Sequence, residues 1–277
     1  MFDKSVIILV VSREILEGAV VDRNAAFMAS RLTDIGYRVR TIEVIDRVRS
    51  EMVAAMKWAI DQGPTFVIQT GGMGPHWDDD ARGCLAEAAG LPLAEDQQAL
   101  GFIESSYRRL HARDLIDTPG LNENRRGMAN VPKGSVCFEN TVGSAPAVML
   151  RLSGTTVFLL PGVPAEMQRF FTVNIMPVVS AEGPDTVRGE RHVDYYGHNE
   201  GPINRAISDI AKKHPEVHLR MRVQSSDQKV IRRITLVSEH EDPNALNDRL
   251  DQAEHDLRMR LGIEIETQPT DASTIGD

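Results

Sequence analysis

An apolar run that empties into glycines and then into acids constrains this chain more than any other feature. Phe66-Val67-Ile68-Gln69-Thr70 has the composition of a buried strand. Gly71-Gly72-Met73-Gly74-Pro75 follows at once, then His76-Trp77 and the triplet Asp78-Asp79-Asp80. Lacking a Cβ, glycine lets a backbone approach a ligand closely, and successive exposed N–H groups hold phosphate oxygens. Carboxylates a few residues on are hard oxygen ligands, of the kind Mg²⁺ takes when it also bridges to a phosphate. Together they point to a phosphate-plus-metal site at the end of a parallel strand. For any one of the aspartates the plainer reading is a cap for the helical pattern that begins at Ala81.

Strand–helix alternation fills the rest of residues 1–180. Residues 6–11 are apolar and β-branched, as a central parallel strand is. A helix is expected over 24–34, closed by Gly36, and a strand over 37–45. Ser50 reads as the cap of a helix ending at Asp61, with Met52, Ala55, Met56 and Ala59 on one face. A strand over 65–70 comes next. Helices are expected over 81–89, 95–111 and 164–172, and strands over 136–138, 147–152 and 156–160. This is the pattern of a doubly wound α/β sheet. Residues 114–134 are polar and read as a long functional or mobile connection. Arg125 and Arg126 there are either lid residues for an anionic ligand or part of a solvated loop. Residues 181–185 read as a linker. A strand–helix–strand–strand–helix run then predicts a smaller α/β domain over 186–265, and 266–277 a flexible polar tail.

Composition narrows the partners. The 40 acidic residues against 31 lysines and arginines leave a formal charge of −9, which does not draw nucleic acid or an anionic membrane surface. An anionic ligand must then be held locally. Cys84 and Cys137 are far apart, without metal-type spacing, and fit reduced structural thiols. No leader pattern or membrane-length apolar stretch is evident, so a cytoplasmic protein is expected.

In an open parallel sheet, ligands bind beyond the carboxyl ends of the strands. Those ends deliver Ser12-Arg13-Glu14, then Asp46-Arg47, then the glycine–aspartate loop, and then Pro161-Gly162 with Glu166. Arg13 either holds a phosphate or forms a surface ion pair, and Asp46 is either a ligand or a solvated loop carboxylate. His76 and Trp77 either stack on a base or sugar or cover the core edge. There is no Walker loop, no Gly-x-Ser-x-Gly and no dinucleotide fingerprint. What is left is metal-assisted attack of water on a phosphoryl group.

Three ordered motifs carry a resemblance: Gly71-Gly72-Met73-Gly74-Pro75-x-x-Asp78-Asp79, Glu139-Asn140-Thr141-Val142-Gly143-Ser144-Ala145-Pro146 and Leu160-Pro161-Gly162-Val163-Pro164-Ala165-Glu166-Met167. With Asp22-x-Asn24 upstream, they resemble the molybdopterin-binding-like domain of the CinA family. The resemblance runs from about residue 6 to 177, and residues after 181 resemble that family's middle domain. The amidohydrolase domain of many members has no counterpart in this sequence, so a short, stand-alone form is expected. The resemblance implies a three-layer α/β/α fold, a mostly parallel sheet and divalent-metal-dependent hydrolysis of ADP-ribose. It implies a phosphate cradle at Gly71, Gly72 and Gly74, and further ligand contacts at Asn140, Gly143, Ser144, Pro161, Gly162 and Glu166. The metal would sit on Asp46, Asp78 and Asp79, with Asp46 and Asp79 activating water and Arg13 offsetting developing charge.

Where the family has Gly-Thr-Glu after its first strand, this chain has Ser12-Arg13-Glu14. His76 and Ala81 stand where the family has threonines. The leading expectation is a cytoplasmic, dimeric hydrolase of a nucleotide diphosphate. The departures at Arg13 and His76 favour an alternative, a protein that binds molybdopterin or a nucleotide with little or no turnover. Adenylyl transfer to molybdopterin is a third reading. The second domain is expected to carry contacts between subunits.

Overall fold

The computed structural model describes residues 4–184, 186–196, 200–226 and 229–263; the expected tail at 266–277 lies outside them. The chain divides into two compact units, Met1–Pro184 and Asp185–Asp277.

The first unit opens with β1 (Ser5–Val11), α1 (Arg13–Leu16), α2 (Asn24–Asp34), β2 (Arg38–Ile45), α3 (Arg49–Asp61), β3 (Phe66–Thr70) and α4 (Ala81–Ala89). β4 (Leu93–Glu95), α5 (Gln97–His111), α6 (Glu123–Gly127), β5 (Asn130–Pro132), β6 (Val136–Phe138), β7 (Ala147–Arg151) and β8 (Thr156–Leu160) follow. It closes with α7 (Pro164–Phe170), a π-helical turn at Phe171–Ile175 and α8 (Met176–Ala181). Six strands form one sheet in the order β2-β1-β3-β8-β7-β6. The first four are parallel, and β7 runs antiparallel to both β8 and β6.

Every residue of β1 is buried because both faces of the sheet are covered. Ile7, Leu9 and Val11 join a core with Met52, Met56, Leu85 and Ile103 from α3, α4 and α5. Val6, Ile8 and Val10 join a second core with Met28, Leu32, Met167 and Phe171 on the other side. The strand period of two thus divides one apolar run between two layers. The unit is a three-layer α/β/α fold with a mostly parallel sheet.

Local details differ from the sequence expectations where side chains chose other partners. α3 begins at Arg49 behind Val48, which makes no side-chain cap, so Ser50 lies inside the helix. The 114–134 connection carries α6 and β5, and β5 pairs with β4. Arg125 packs over the Tyr107 ring at 4.0 Å and donates to Thr118 O and Gly120 O, while Arg126 pairs with Glu95 at 2.6 Å. Both arginines therefore tie down their own loop.

The second unit consists of β9 (Val187–Tyr195), α9 (Glu200–Lys213), β10 (His218–Ser226), β11 (Lys229–His240) and α10 (Pro243–Leu261). Its antiparallel sheet has the order β10-β11-β9, and both helices pack on the face carrying Val193, Ile234 and Leu236. Among the described residues, no helix is long and apolar enough to cross a membrane.

Candidate functional site: a crevice at the reversal of strand order

From β1 the chain moves outward to β2 and then returns to the other side of β1 as β3. The loops leaving β1 and β3 therefore diverge, and a cavity of about 890 Å³ opens beyond their carboxyl ends. Ser12, Thr70, Gly71, Gly72 and Pro161 line its floor, and Asn24, Arg47, Asp79, Ser144 and Glu166 contribute to its walls. Hydrogen bonds lock the floor. The Asn24 amide nitrogen donates to Gly162 O at 2.8 Å and to Thr70 Oγ1 at 3.3 Å, and Thr70 Oγ1 donates to Pro161 O at 2.8 Å. Asp22 Oδ1 accepts the N–H groups of Asn24 and Ala25, which fixes the start of α2 beside them.

The glycine loop depends on its lack of side chains at two points. Gly71 has φ +96°, and a Cβ there would run into the Val11 carbonyl oxygen. At Gly74 a Cβ would fall 2.5 Å from Asp79 Oδ2. The Gly71 N–H is spent on Leu160 O at 2.9 Å, so this amide leaves the expected phosphate cradle. The N–H groups of Gly72, Met73 and Gly74 have no acceptor among the described residues.

The acidic residues expected to hold a metal have arginine partners instead. Arg13 Nε donates to Asp46 Oδ1 at 2.9 Å, and neither residue lines the crevice. This hydrogen bond holds the Asp46 carboxyl below the usual carboxylate range and raises Arg13. Arg47 Nη1 lies 3.9 Å from both Asp78 and Asp79, and Arg47 Nη2 lies 3.6 Å from Glu14. Hydrogen bonds from its own backbone N–H and from Ser12 Oγ keep the Glu14 carboxyl low. Asp80 is the N-cap of α4, accepting from Gly83 N, and it also pairs with Arg49; it is a structural cap rather than a merely solvated residue. Among the described residues, no three or more of His, Cys, Asp and Glu converge as a metal-binding group. A divalent ion on Asp46, Asp78 and Asp79 does not fit: two guanidinium groups already compensate these carboxylates.

The opposite wall carries a carboxylate in a less polar setting. Asn140 Nδ2 donates to Glu166 Oε2 at 2.5 Å, and Asn140 Oδ1 accepts from Val142 N and Gly143 N. Glu166 packs so closely on Gly143 that a Cβ there would overlap its carboxyl group. Burial pushes the Glu166 carboxyl up, while the Asn140 hydrogen bond partly opposes the shift. From α5, Arg109 Nη2 donates to Asn140 O at 2.5 Å and Ser106 Oγ to the same oxygen at 3.0 Å. Asn140 and Gly143 thus shape the wall from behind, and Glu166 and Ser144 line it.

The crevice brings together Gly71, Gly72, Gly74, Asp79, Ser144, Pro161, Gly162 and Glu166 from the sequence expectations. His76 also lines it, but Trp77 is 92% exposed and does not. Arg47 and Asn24 were not singled out as ligand contacts. The usable signal for Arg47 was its place at the end of β2, directly after Asp46.

Comparison with known proteins fits this architecture. A family model described as a probable molybdopterin binding domain matches residues 7–181. A CinA-like protein of Myxococcus xanthus is 30% identical over 256 residues, covering 91% of this chain and 58% of that protein. The crystal structure of the protein CinA with unknown function from Thermoplasma acidophilum aligns with a TM-score of 0.58 and 32% identity, over 64% of this chain and 98% of that one. The chain belongs to the CinA family. Its first unit is the molybdopterin-binding type of domain found in this family. Protein TK1472 of Thermococcus kodakarensis is 36% identical over 170 residues, 61% of this chain and 68% of that protein. This CinA-family chain spans less than two thirds of the Myxococcus relative's length. The leading sequence expectation, a metal-dependent ADP-ribose hydrolase, is corrected here. The matching family model is a molybdopterin-binding one, and the carboxylates assigned to the metal are paired with Arg13 and Arg47.

Proposed function

We propose that the first unit binds a phosphorylated pterin of the molybdopterin class and acts as a binding module without metal-assisted hydrolysis. The observation that carries this reading is the chemical polarity of the crevice. One wall offers the Gly72–Gly74 backbone with the Arg47 guanidinium, and another offers the Glu166 carboxylate. Backbone N–H groups and an arginine suit phosphate oxygens. A carboxylate suits the paired N–H donors of a 2-amino-4-oxopyrimidine ring, which a pterin and a guanine share. A cavity of about 890 Å³ is roomy enough for a ring and its phosphate. When bound, molybdopterin would supply the dithiolene that carries the metal of molybdenum cofactors. This chain's residues would hold the ring and the phosphate.

Calorimetric titration of the purified protein with molybdopterin, GMP and AMP tests the reading. Molybdopterin and GMP are expected to bind, and AMP, which lacks the donor pair, to bind at least about tenfold more weakly. Failure of molybdopterin to bind, or equal affinity for all three, would overturn it.

A further inference from the structure

Next to the glycine loop lies a buried cation. Arg82, the second residue of α4, is 6% exposed, and burial pulls its guanidinium down to about 10. Three of its hydrogen bonds go to carbonyl oxygens: Nη1 to Met73 O at 2.7 Å, and Nη2 to Gly74 O at 3.2 Å and to Asp79 O at 3.5 Å; Nη1 also reaches Met73 Sδ at 3.9 Å. It lines a second groove, which shares Gly74, Pro75, His76 and Asp79 with the crevice, and does not itself line the crevice. Burying a charge is costly unless its hydrogen bonds are made, so these three carbonyls are what hold Arg82 in place.

The consequence follows from peptide geometry. In a planar trans peptide the C=O of one residue and the N–H of the next point in opposite directions. Gly72 O accepts from Ala81 N at 3.0 Å, which turns the Met73 N–H away from α4. Met73 O accepts from Arg82, which turns the Gly74 N–H away from α4 as well. Gly74 O also accepts from Arg82, and the next residue, Pro75, has no N–H to direct. Two successive amides without an intramolecular acceptor therefore face the same way, on a loop that lines the crevice. The Met73–Gly74 peptide has a glycine on one side, which makes it easy to flip once its carbonyl is released.

We propose that Arg82 is a positioning residue: by holding the Met73 and Gly74 carbonyls at the back of the loop, it aims the Met73 and Gly74 N–H groups at an anion in the crevice. This deepens the proposed function and rests on its phosphate end. Without the guanidinium, the Met73–Gly74 peptide would rotate and present a carbonyl oxygen where a phosphate oxygen is to bind.

The test uses the full chain with pyrophosphate as probe, and the variants Arg82→Met and Arg82→Lys. Ligand-free crystal structures and amide NMR spectra report the loop, and calorimetry reports affinity. In the unaltered protein, pyrophosphate is expected to shift the Met73 and Gly74 amide resonances. Arg82→Met is expected to rotate the Met73–Gly74 peptide and weaken pyrophosphate about ten- to a hundredfold, the loss of one charge-assisted hydrogen bond. The amides of β1 should stay in place. Arg82→Lys, with one ammonium for several carbonyls, is expected to recover part of the affinity; it carries the test if Arg82→Met does not fold. An unrotated peptide, with affinity within about twofold of the unaltered protein, would overturn the assignment of Arg82. If pyrophosphate fails to bind the unaltered protein, the phosphate reading of the crevice falls; the peptide orientation in the ligand-free variants then decides the role of Arg82 separately.

Discussion

At the scale of single residues, the crevice is defined by which charges meet. Arg47 makes contacts of 3.6–3.9 Å with Glu14, Asp78 and Asp79, and its Nε is buried without a hydrogen-bond partner. A guanidinium with unmet donors beside the proposed anion site would gain more from a phosphate than from its present neighbours. Arg47→Ala is therefore expected to weaken pyrophosphate binding roughly tenfold or more, by calorimetry. Asp79→Asn should act in the opposite direction, tightening it about threefold, because it removes a like charge from the anion site while Arg47 stays. Metal should not change either outcome. Glu166 gives a pH dependence with a defined sign. Its folded value lies above the ordinary 4.5, so burial disfavours the carboxylate in the folded protein. Below 4.5 both states hold the proton and the penalty is absent; it appears as pH rises through the raised folded value. Glu166→Gln should then have a higher Tm than the unaltered protein at neutral pH, and the difference should close toward acid pH.

At the scale of elements, the junction of β3 and α4 is held at both ends. Asp80 caps α4 by accepting from Gly83 N and also pairs with Arg49. Asp80→Ala is expected to lower stability by about 1 kcal/mol in denaturant titration. Asp80→Asn should stay closer to the unaltered protein, because asparagine caps as well as aspartate. At the start of the loop, Gly71→Ala places a side chain at positive φ and against the Val11 carbonyl. A loss above about 2 kcal/mol is expected there, read from the same titrations. Much of this level was legible beforehand: α2, α4, β6 and β8 lie where apolar periodicity and flanking punctuation place them. The misplaced cap of α3 and the unrecognised β5 have a shared cause. Ser50 was a good local cap, but the chain had already turned helical at Arg49, and a three-residue strand has too few side chains to show a period.

At the scale of the whole molecule, the cores separate cleanly. Both apolar clusters around the six-stranded sheet draw on residues up to Val179, and the third draws on residues from Val193 onward. A chain ending at Pro184 is thus expected to unfold in one cooperative transition. It should also bind pyrophosphate within about twofold of the full chain. The second unit is proposed to carry contacts between copies. Sedimentation equilibrium should then give a dimer for the full chain and a monomer for the shortened one, and a dimeric shortened chain would contradict this assignment.

The amino-acid sequence by itself determined the fold class. Runs such as Val6-Ile7-Ile8-Leu9-Val10-Val11 can satisfy both side-chain faces only inside a covered parallel sheet, and the glycines after β3 admit a backbone path closed to other residues. Tertiary structure alone decided the chemistry of the crevice. Arg13 and Asp46 are 33 positions apart, and Glu166, on α7, is far along the chain from the glycine loop that shares its crevice; nothing local says that these groups meet or part. A carboxylate in a sequence is a metal ligand, a cap or one half of an ion pair according to the cation that folding brings to it. At Asp46 that cation is Arg13, at Asp80 it is Arg49, and at Asp79 Arg47 stands nearest. An acidic triplet that reads as a metal site along the chain therefore becomes, in three dimensions, part of the frame around the proposed anion site.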